Sequence, residues 1–460
     1  MHIGLDFGTT NTKAAVFDGR SVRHFQLDPG NPDPTVIRSI IYVTRDHQVL
    51  IGRQATEAYY QQNIGRPSKF VRKHIGDIEM VLSDVGSVKG YPVEMTTVVR
   101  DVYAMVDELT PGRLLHSLKS SLASGPGSTS IFGRTIQLEH LIAVYLREIR
   151  QRVETAAGNA VQGVTMGTPV SFVDSPGDDG NRLAVERLRR AALEAGYPQV
   201  EFELEPVAAA RHYQLTASRP LNILVFDLGG GTLDLTVMQL GTAHEQRLLA
   251  TGGLDVAGDT FNRRLIQGLL LEHLGRGSTW SDQAIPFPEH LTESLLHWQS
   301  VLELNRPETL HFLELAEKTS NRPKQIRALA SVVVNNYVAR IFDEVDRAKI
   351  GLSTGLFETI RLVGTDLDIW QPITRSQFES LIAGDVERIG KCVRETLCRS
   401  GLAANQIDAV VRTGGSGQVP RVTQLLGQEF GPKKVVDDSV FGSVAAGLAI
   451  GAWQQVGSTD

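Results

Sequence analysis

One stretch constrains this chain more than any other: Asn222 to Met238, Asn-Ile-Leu-Val-Phe-Asp-Leu-Gly-Gly-Gly-Thr-Leu-Asp-Leu-Thr-Val-Met. Its apolar, β-branched opening, Ile223 to Phe226, reads as a buried strand. Asp227 ends that run, three glycines follow, and Thr232 to Val237 alternates polar and apolar residues as a second strand does. The pattern is strand, glycine turn, strand. Dinucleotide-binding and Walker-type glycine loops both lead into a helix, so neither fits. Three glycines let the backbone approach a ligand closely and aim its N–H groups at anionic oxygens. An aspartate at the mouth can hold a hydrated divalent cation. On this stretch alone an ordinary hairpin with a glycine-rich turn stays open.

A second copy changes the balance. The chain begins Met-His-Ile-Gly-Leu-Asp-Phe-Gly-Thr-Thr-Asn-Thr-Lys-Ala-Ala-Val-Phe, again an apolar strand, an aspartate, a glycine turn and an alternating strand. Asp6 and Asp227 are 227 − 6 = 221 residues apart in a chain of 460. Two phosphate-type hairpins at half-chain spacing predict a duplicated α/β fold whose lobes face each other across one cleft.

Three further segments carry a family resemblance: Glu205-Pro206-Val207-Ala208-Ala209-Ala210, Gly252 to Asn262, and Thr413-Gly414-Gly415-Ser416-Gly417-Gln418-Val419-Pro420. With the two hairpins, and in this order, they resemble the ATPase domain of DnaK-type heat-shock chaperones in the actin-like ATPase superfamily. The likeness spans nearly the whole chain and is greatest to short, YegD-like members. It implies a two-lobed actin-like fold of duplicated ribonuclease-H-like lobes around a nucleotide cleft, with inserted peripheral subdomains. We expect lobe I over 1–220, lobe II over 221–440 and a C-terminal crossing helix over 441–460 that returns to lobe I.

Composition narrows the class. Hydrophobic residues make up 42% and charged residues 21%, as in ordinary soluble proteins. The net charge of −6 argues against a nucleic-acid or anionic-membrane partner. No apolar run reaches spanning length and no signal-like segment opens the sequence. Cys392 and Cys398, six apart in one expected helix, read as thiols of a reducing compartment. A cytoplasmic protein is the expectation. The twelve histidines are scattered without metal-ligand spacing, so zinc is not expected. No Gly-x-Ser-x-Gly elbow marks a serine hydrolase.

Periodicity predicts helices over Leu138–Ala157, Arg182–Ala195, Gly258–Leu274, Lys324–Leu352 and Phe441–Gln454, with another opened by Thr374. It predicts strands over Ser39–Val43, Val49–Gly52, Val161–Phe172, Val200–Leu204 and Phe357–Leu362, and Ala409–Val411 leads into the glycine loop. Ile64–Pro111 reads as an inserted peripheral subdomain, Ser124–Ser128 as a flexible loop, and Thr279–Pro323 as a helical insertion.

The resemblance implies roles for matching positions. Asp6 and Asp227 hold hydrated magnesium. Gly8, Thr9, Thr10 and Asn11 form the first phosphate turn, and Gly229, Gly230, Gly231 and Thr232 the second. Thr10 and Thr232 contact the terminal phosphate or the attacking water. Glu205 orders a water, with Asp234 near it. Lys119 orients the attack; Lys69 and Lys73 are the alternatives. Gly258, Asp259, Asp346, Lys349, Ser353, Gly414, Gly415, Ser416 and Gln418 take the adenosine. Ile350 and Gln418 depart from the family, which has arginines there; losing a stacked arginine removes about 0.5–2 kcal/mol.

The expected function is a slow, magnesium-dependent ATPase that binds ATP or ADP and acts as a nucleotide switch, read by a protein client or co-chaperone. The sequence stops where the ATPase domain ends, so peptide binding in the chaperones' usual manner is not expected. An actin-like scaffold, a non-hydrolysing nucleotide sensor and a small-molecule kinase are the alternatives. The Glu205 segment and Arg347–Ser353, which resembles the family's adenosine helix, argue against the kinase.

Overall fold

A computed structural model describes the chain apart from residues 32, 65, 67–68, 84–94, 124–126, 173–174, 215–218, 242–245, 298–299, 302–303, 438–442 and 458–460. The first half opens with β1 (His2–Phe7), β2 (Asn11–Phe17), β3 (Val22–His24) and β4 (Ile37–Arg38). Next come β5 (Ile40–Thr44), β6 (Val49–Ile51), α1 (Gly52–Asn63), β7 (Phe70–Ser83), β8 (Met95–Asp107) and β9 (Gly112–His116). After a single 3-10 turn at Leu118–Ser121 follow β10 (Ser128–Ile131), β11 (Arg134–Gln137), α2 (Leu138–Ala157) and β12 (Gly163–Thr168). That half closes with α3 (Asp178–Glu194), β13 (Val200–Leu204) and α4 (Glu205–Gln214).

The second half begins with β14 (Leu221–Leu228), β15 (Leu233–Leu240), β16 (Gln246–Leu254) and α5 (Gly258–Leu265). It continues through β17 (Thr279–Trp280), β18 (Ile285–Pro286), α6 (Glu289–Glu293), α7 (Pro307–Thr319), α8 (Pro323–Val334) and α9 (Val338–Thr354). Then come β19 (Phe357–Gly364), β20 (Leu367–Thr374), α10 (Arg375–Leu381), α11 (Ala383–Ser400), β21 (Ala409–Thr413), α12 (Pro420–Phe430), β22 (Val435–Asp437) and α13 (Ser443–Gly457).

Two mixed sheets repeat one plan, as the paired hairpins predict. The first runs β13-β12-β1-β2-β3, with β4 on β2, and the second β22-β21-β14-β15-β16. In each, a strand ending in the key aspartate pairs antiparallel with the next strand and parallel with a later one. Alternation follows the burial. Ile3, Leu5 and Phe7 enter a core with α2 and α3, while Leu224, Phe226 and Leu228 enter a second core that includes α5 and α11. The opposite faces meet α4 and α13. Small residues allow a close crossing there: a methyl on Gly447 would stand 1.7 Å from the Ala208 carbonyl, and one on Gly4 would stand 2.2 Å from the Ala449 nitrogen. Among the described residues no helix is long and apolar enough to cross a membrane.

Most expected elements form, with informative differences. The helix expected over Lys324–Leu352 is two helices, α8 and α9, because Asn336 takes a left-handed φ of 54° between them. Asparagine tolerates that conformation, and the Asn335-Asn336 pair was the signal that apolar periodicity overrode. The helix expected over Gly258–Leu274 is continuous in course but changes pitch, from α5 through a π-helical turn at Ile266–Leu270 to a 3-10 turn at Leu271–Leu274. Ile64–Pro111 contains the long hairpin β7–β8, whose two strands pair only with each other among the described residues. Thr279–Pro323 carries a short hairpin as well as helices, and Pro307 and Pro323 sit in first turns where a missing N–H costs nothing. Thr374 caps α10 with a full capping box to Gln377. Residues 124–126 of the loop expected at Ser124–Ser128, and Phe441 and Gly442 of the last helix, lie outside the described residues.

Candidate functional site

Each half delivers its aspartate on the last residues of a buried strand, then turns tightly. In the first turn Gly8 N–H donates to the Asn11 carbonyl at 3.0 Å. A side chain at Gly8 would meet that carbonyl at 2.4 Å, so the turn requires glycine. Thr9, Thr10 and Asn11 complete it. Ser39 braces it from behind: its hydroxyl donates to Gly8 O at 2.8 Å and its N–H to Thr10 O at 2.8 Å.

The second turn is braced differently. Gly258 N–H and Asp259 N–H, in the first turn of α5, donate to Gly229 O at 3.2 Å and Gly230 O at 2.7 Å. Ser416, from the loop after β21, donates its hydroxyl to Gly229 O at 2.8 Å. Gly414 has a φ of +78°, and a methyl there would stand 2.3 Å from Leu228 O and 2.7 Å from Asp227 Oδ1. Around Gly231 an added methyl meets nothing within 4 Å, so the rim of this turn faces open space. The two turns approach each other: a methyl on Gly230 would stand 2.6 Å from Thr10 Oγ1.

Between the turns lies a charged centre. Strand β13 ends at Leu204 and α4 starts at Glu205, which puts that carboxylate at the strand–helix junction. The 3-10 turn after β9 carries Lys119, 6% exposed, whose ammonium forms a short ion pair with Glu205 Oε1. Burial works against the Lys119 charge, but Glu205, Asp6 and Asp227 outweigh it and raise its pKa. Asp6 is pushed up to about 7 by burial and then by Glu205, against the pull of Lys119 and Lys13. Asp227 is also pushed up to about 7, by burial, Asp234 and Glu205. Asp234, which accepts the Thr232 hydroxyl at 3.0 Å, is raised to about 6 by burial. Such perturbed groups in one cleft mark a functional site.

The residues expected to take the adenosine form a second network. Lys349 Nζ pairs with Asp346 Oδ1 at 2.6 Å and donates to Gly258 O at 3.5 Å. Asn262, absent from the sequence-based set, donates to Asp346 Oδ1 at 3.1 Å. Burial would raise the Asp346 pKa, but Lys349 and Asn262 hold it below its ordinary value. Burial raises Asp259. Ser353 donates back to Lys349 O within its own helix at 3.2 Å. Gly415, Gln418 and Ile350 are exposed. Further up α9, Asp343 pairs with Arg38 at 3.5 Å and accepts the Tyr60 hydroxyl, joining α9 to β4 and α1.

Asp6, Lys119, Glu205, Asp227, Thr232 and Asp234 therefore converge, and the adenosine set adjoins them through Gly258, Asp259, Gly414 and Ser416. Of the alternative lysines, Lys69 is exposed and pairs with Glu108 at 3.0 Å, and the side chain of Lys73 lies outside the described residues. Sequence reasoning missed Lys13, Arg38, Ser39 and Asn262. Lys13, an ionic residue inside a strand that is otherwise buried, was the one visible signal.

The donor set fits a hydrated divalent ion. Among the described residues no three His, Cys, Asp or Glu side chains form a direct metal cage, whereas magnesium keeps several waters and uses one or two carboxylates plus phosphate oxygens. Asp6 and Asp227 offer those carboxylates from opposite turns. The model of the Hsp70 protein family matches residues 124–277 and 323–458.

Proposed function

The chain belongs to the Hsp70 family, whose members carry a nucleotide-binding ATPase domain that generally takes ATP or ADP with magnesium. From that premise we propose that this protein hydrolyses ATP slowly and acts as a nucleotide switch. The Lys119–Glu205 pair, ringed by Asp6, Asp227 and Asp234 between two facing phosphate turns, carries the reading.

Phosphoryl transfer to water asks mainly for positioning and charge stabilisation. Within the Gly8–Asn11 and Gly229–Thr232 turns, the amides of Thr9, Thr10, Gly230 and Gly231 cradle the β- and γ-phosphates. Asp6 and Asp227 hold the metal's water shell; the metal, when bound, neutralises charge on the phosphate oxygens. Lys119 orients the attacking water and offsets charge as the terminal P–O bond breaks, with ADP leaving as phosphate forms. Glu205 fixes the Lys119 ammonium and orders a neighbouring water. Thr10 and Thr232 reach the terminal phosphate from opposite turns, and Asp234 fixes the Thr232 hydroxyl. Asp346, Lys349, Gly414 and Ser416 take the ribose and base edge, beside Asp259, Ser353, Gly415 and Gln418.

We assign lobe I to 1–220, lobe II to 221–440 and the returning helix to 441–460, with the cleft closing on nucleotide and a protein partner reading the closure. Within the family we place the chain beside YegD-like members, on its Ser117–Leu122 segment. A reducing cytoplasm suits the two thiols of α11, which are not paired with each other.

Single-turnover phosphate release from bound ATP and magnesium tests this, with Asp227→Ala and Lys119→Ala alongside. Release lost in both variants supports the reading. Loss in Asp227→Ala alone keeps the ATPase and removes Lys119 from its role. Tight ATP binding without release would make the protein a nucleotide sensor, and absence of ATP binding would overturn the proposal.

A further inference from the structure

The two hairpins share one register, but the residue opposite the aspartate carries the opposite charge in each. In β14–β15, Asp227 stands opposite Asp234; in β1–β2, Asp6 stands opposite Lys13. The spacing is identical, 234 − 227 = 7 and 13 − 6 = 7. Directly opposed residues share a face, so Lys13 stands on the face of Asp6. Neighbours agree. Gly4 and Ala15, opposite each other two places along, pack against α13, whereas Leu5, Phe7 and Ala14 enter the core beneath. The Lys13 side chain is 8% exposed, and its ammonium lies 3.3 Å from Asp33 Oδ2. Asp33 is 45% exposed and is held by the Thr35 N–H at 2.9 Å and hydroxyl at 2.7 Å.

We propose that Lys13 is a second phosphate-binding lysine of the nucleotide site, which exchanges Asp33 for oxygens of the nucleotide's phosphate chain. This rests on the ATP reading above. The charge balance motivates it: Asp6, Glu205, Asp227 and Asp234 crowd the centre, and Lys119 is committed to Glu205. A polyphosphate brings more negative charge than one divalent ion removes. Lysine suits the task as a compact charge on a long, flexible stem. Burial already pulls the Lys13 pKa down in spite of Asp33 and Asp6, so its ammonium gains from another anion. Asp33 keeps the ammonium poised before nucleotide binds and, half-exposed, can be released to water at little cost.

Calorimetric affinities for ATP, ADP and adenosine separate this role from a structural ion pair. Lys13→Met is expected to weaken ATP and ADP by roughly 10- to 100-fold, the worth of a charged hydrogen bond, and to leave adenosine unchanged. Lys13→Arg is expected to keep most of the ATP affinity. Asp33→Asn is expected to leave ATP binding equal or tighter, because it weakens a competitor for the lysine. Equal losses for ATP and adenosine in Lys13→Met, or an Asp33→Asn loss matching that of Lys13→Met, would overturn the proposal. If Lys13→Met unfolds on heating well below wild type, Lys13→Arg and Asp33→Asn decide the matter alone. Wild-type protein that binds adenosine but gains nothing from the phosphates would refute this inference; wild type that binds no nucleotide would remove the reading beneath it.

Discussion

The proposed phosphate end and the proposed adenosine end of the site are built on different principles. At the phosphate end, charged groups are buried against one another: Lys119 on Glu205, Asp227 beside Asp234, Asp6 beside Lys13. At the adenosine end the charges are satisfied locally by Lys349, Asp346 and Asn262, while Ile350 is 62% exposed and Gln418 is open to solvent. Buried electrostatics are worth more than exposed contacts. Chemistry and most of the discrimination should therefore sit with the phosphates, and the base should be held loosely.

The largest break in that contrast comes from Asp227→Asn. It removes charge where the metal's waters would be held, and single-turnover phosphate release should fall on the order of 10²–10³-fold. Adenosine affinity should stay near wild type. A comparable loss of adenosine binding would mean that the two ends are one cooperative unit. Gly414→Ala tests the joint between them. It forces a methyl toward Leu228 O and Asp227 Oδ1 at a φ of +78°, a strain of about 1–3 kcal/mol. Both ATP and adenosine affinities should drop, which calorimetry reads directly.

A pH series sharpens the contrast by a smaller margin. Burial raises Asp6 and Asp227 from an ordinary 3.8 to about 7. The folded chain therefore holds more protons than the unfolded chain between those values. Without ligand, its stability should fall as pH rises through that window and level off above about 7. Magnesium needs both carboxylates ionised. Its affinity in the nucleotide complex should rise between pH 6 and 8, with protons released on binding. Calorimetry in buffers of differing ionisation enthalpy reads that release; a flat profile would remove the two aspartates from metal binding.

Much of this site was legible because its chemistry is local in sequence. A strand ending in aspartate and followed by glycines can be read without a partner, and two copies at half-chain spacing announce the duplicated sheet. Glu205 was legible through the resemblance of its Glu205–Ala210 segment to the family's, at the end of an expected strand. The braces were not. Ser39, in no motif, supports Gly8 and Thr10 from 31 and 29 residues away, and Asn262, the last residue of the Gly252–Asn262 segment, reaches Asp346 across 84. Lys13 needed the register of β1 against β2 before it could be placed opposite Asp6. Tertiary partners decide such positions, and local pattern cannot supply them.

The mildest test addresses the base. Ile350 follows Lys349 on α9 and presents an exposed aliphatic side chain where related chaperones, by resemblance, stack an arginine on adenine. A restored cation–π contact is worth about 0.5–2 kcal/mol, so Ile350→Arg should tighten nucleotide binding by roughly two- to thirtyfold. Because the gain lies on the base, ATP, ADP and adenosine should tighten by one common factor. The single-turnover rate of phosphate release should not move, since Lys119, Glu205 and the aspartates are untouched. A variant that tightens ATP but not adenosine would mean that the new charge acts through the phosphates. A changed release rate would mean that α9 transmits base occupancy to the centre, through Lys349 and Gly258 or through the Asp343 contacts with Arg38 and Tyr60. The two ends would then be a single device, and loose base binding would be the setting of a switch rather than the relaxed half of the site.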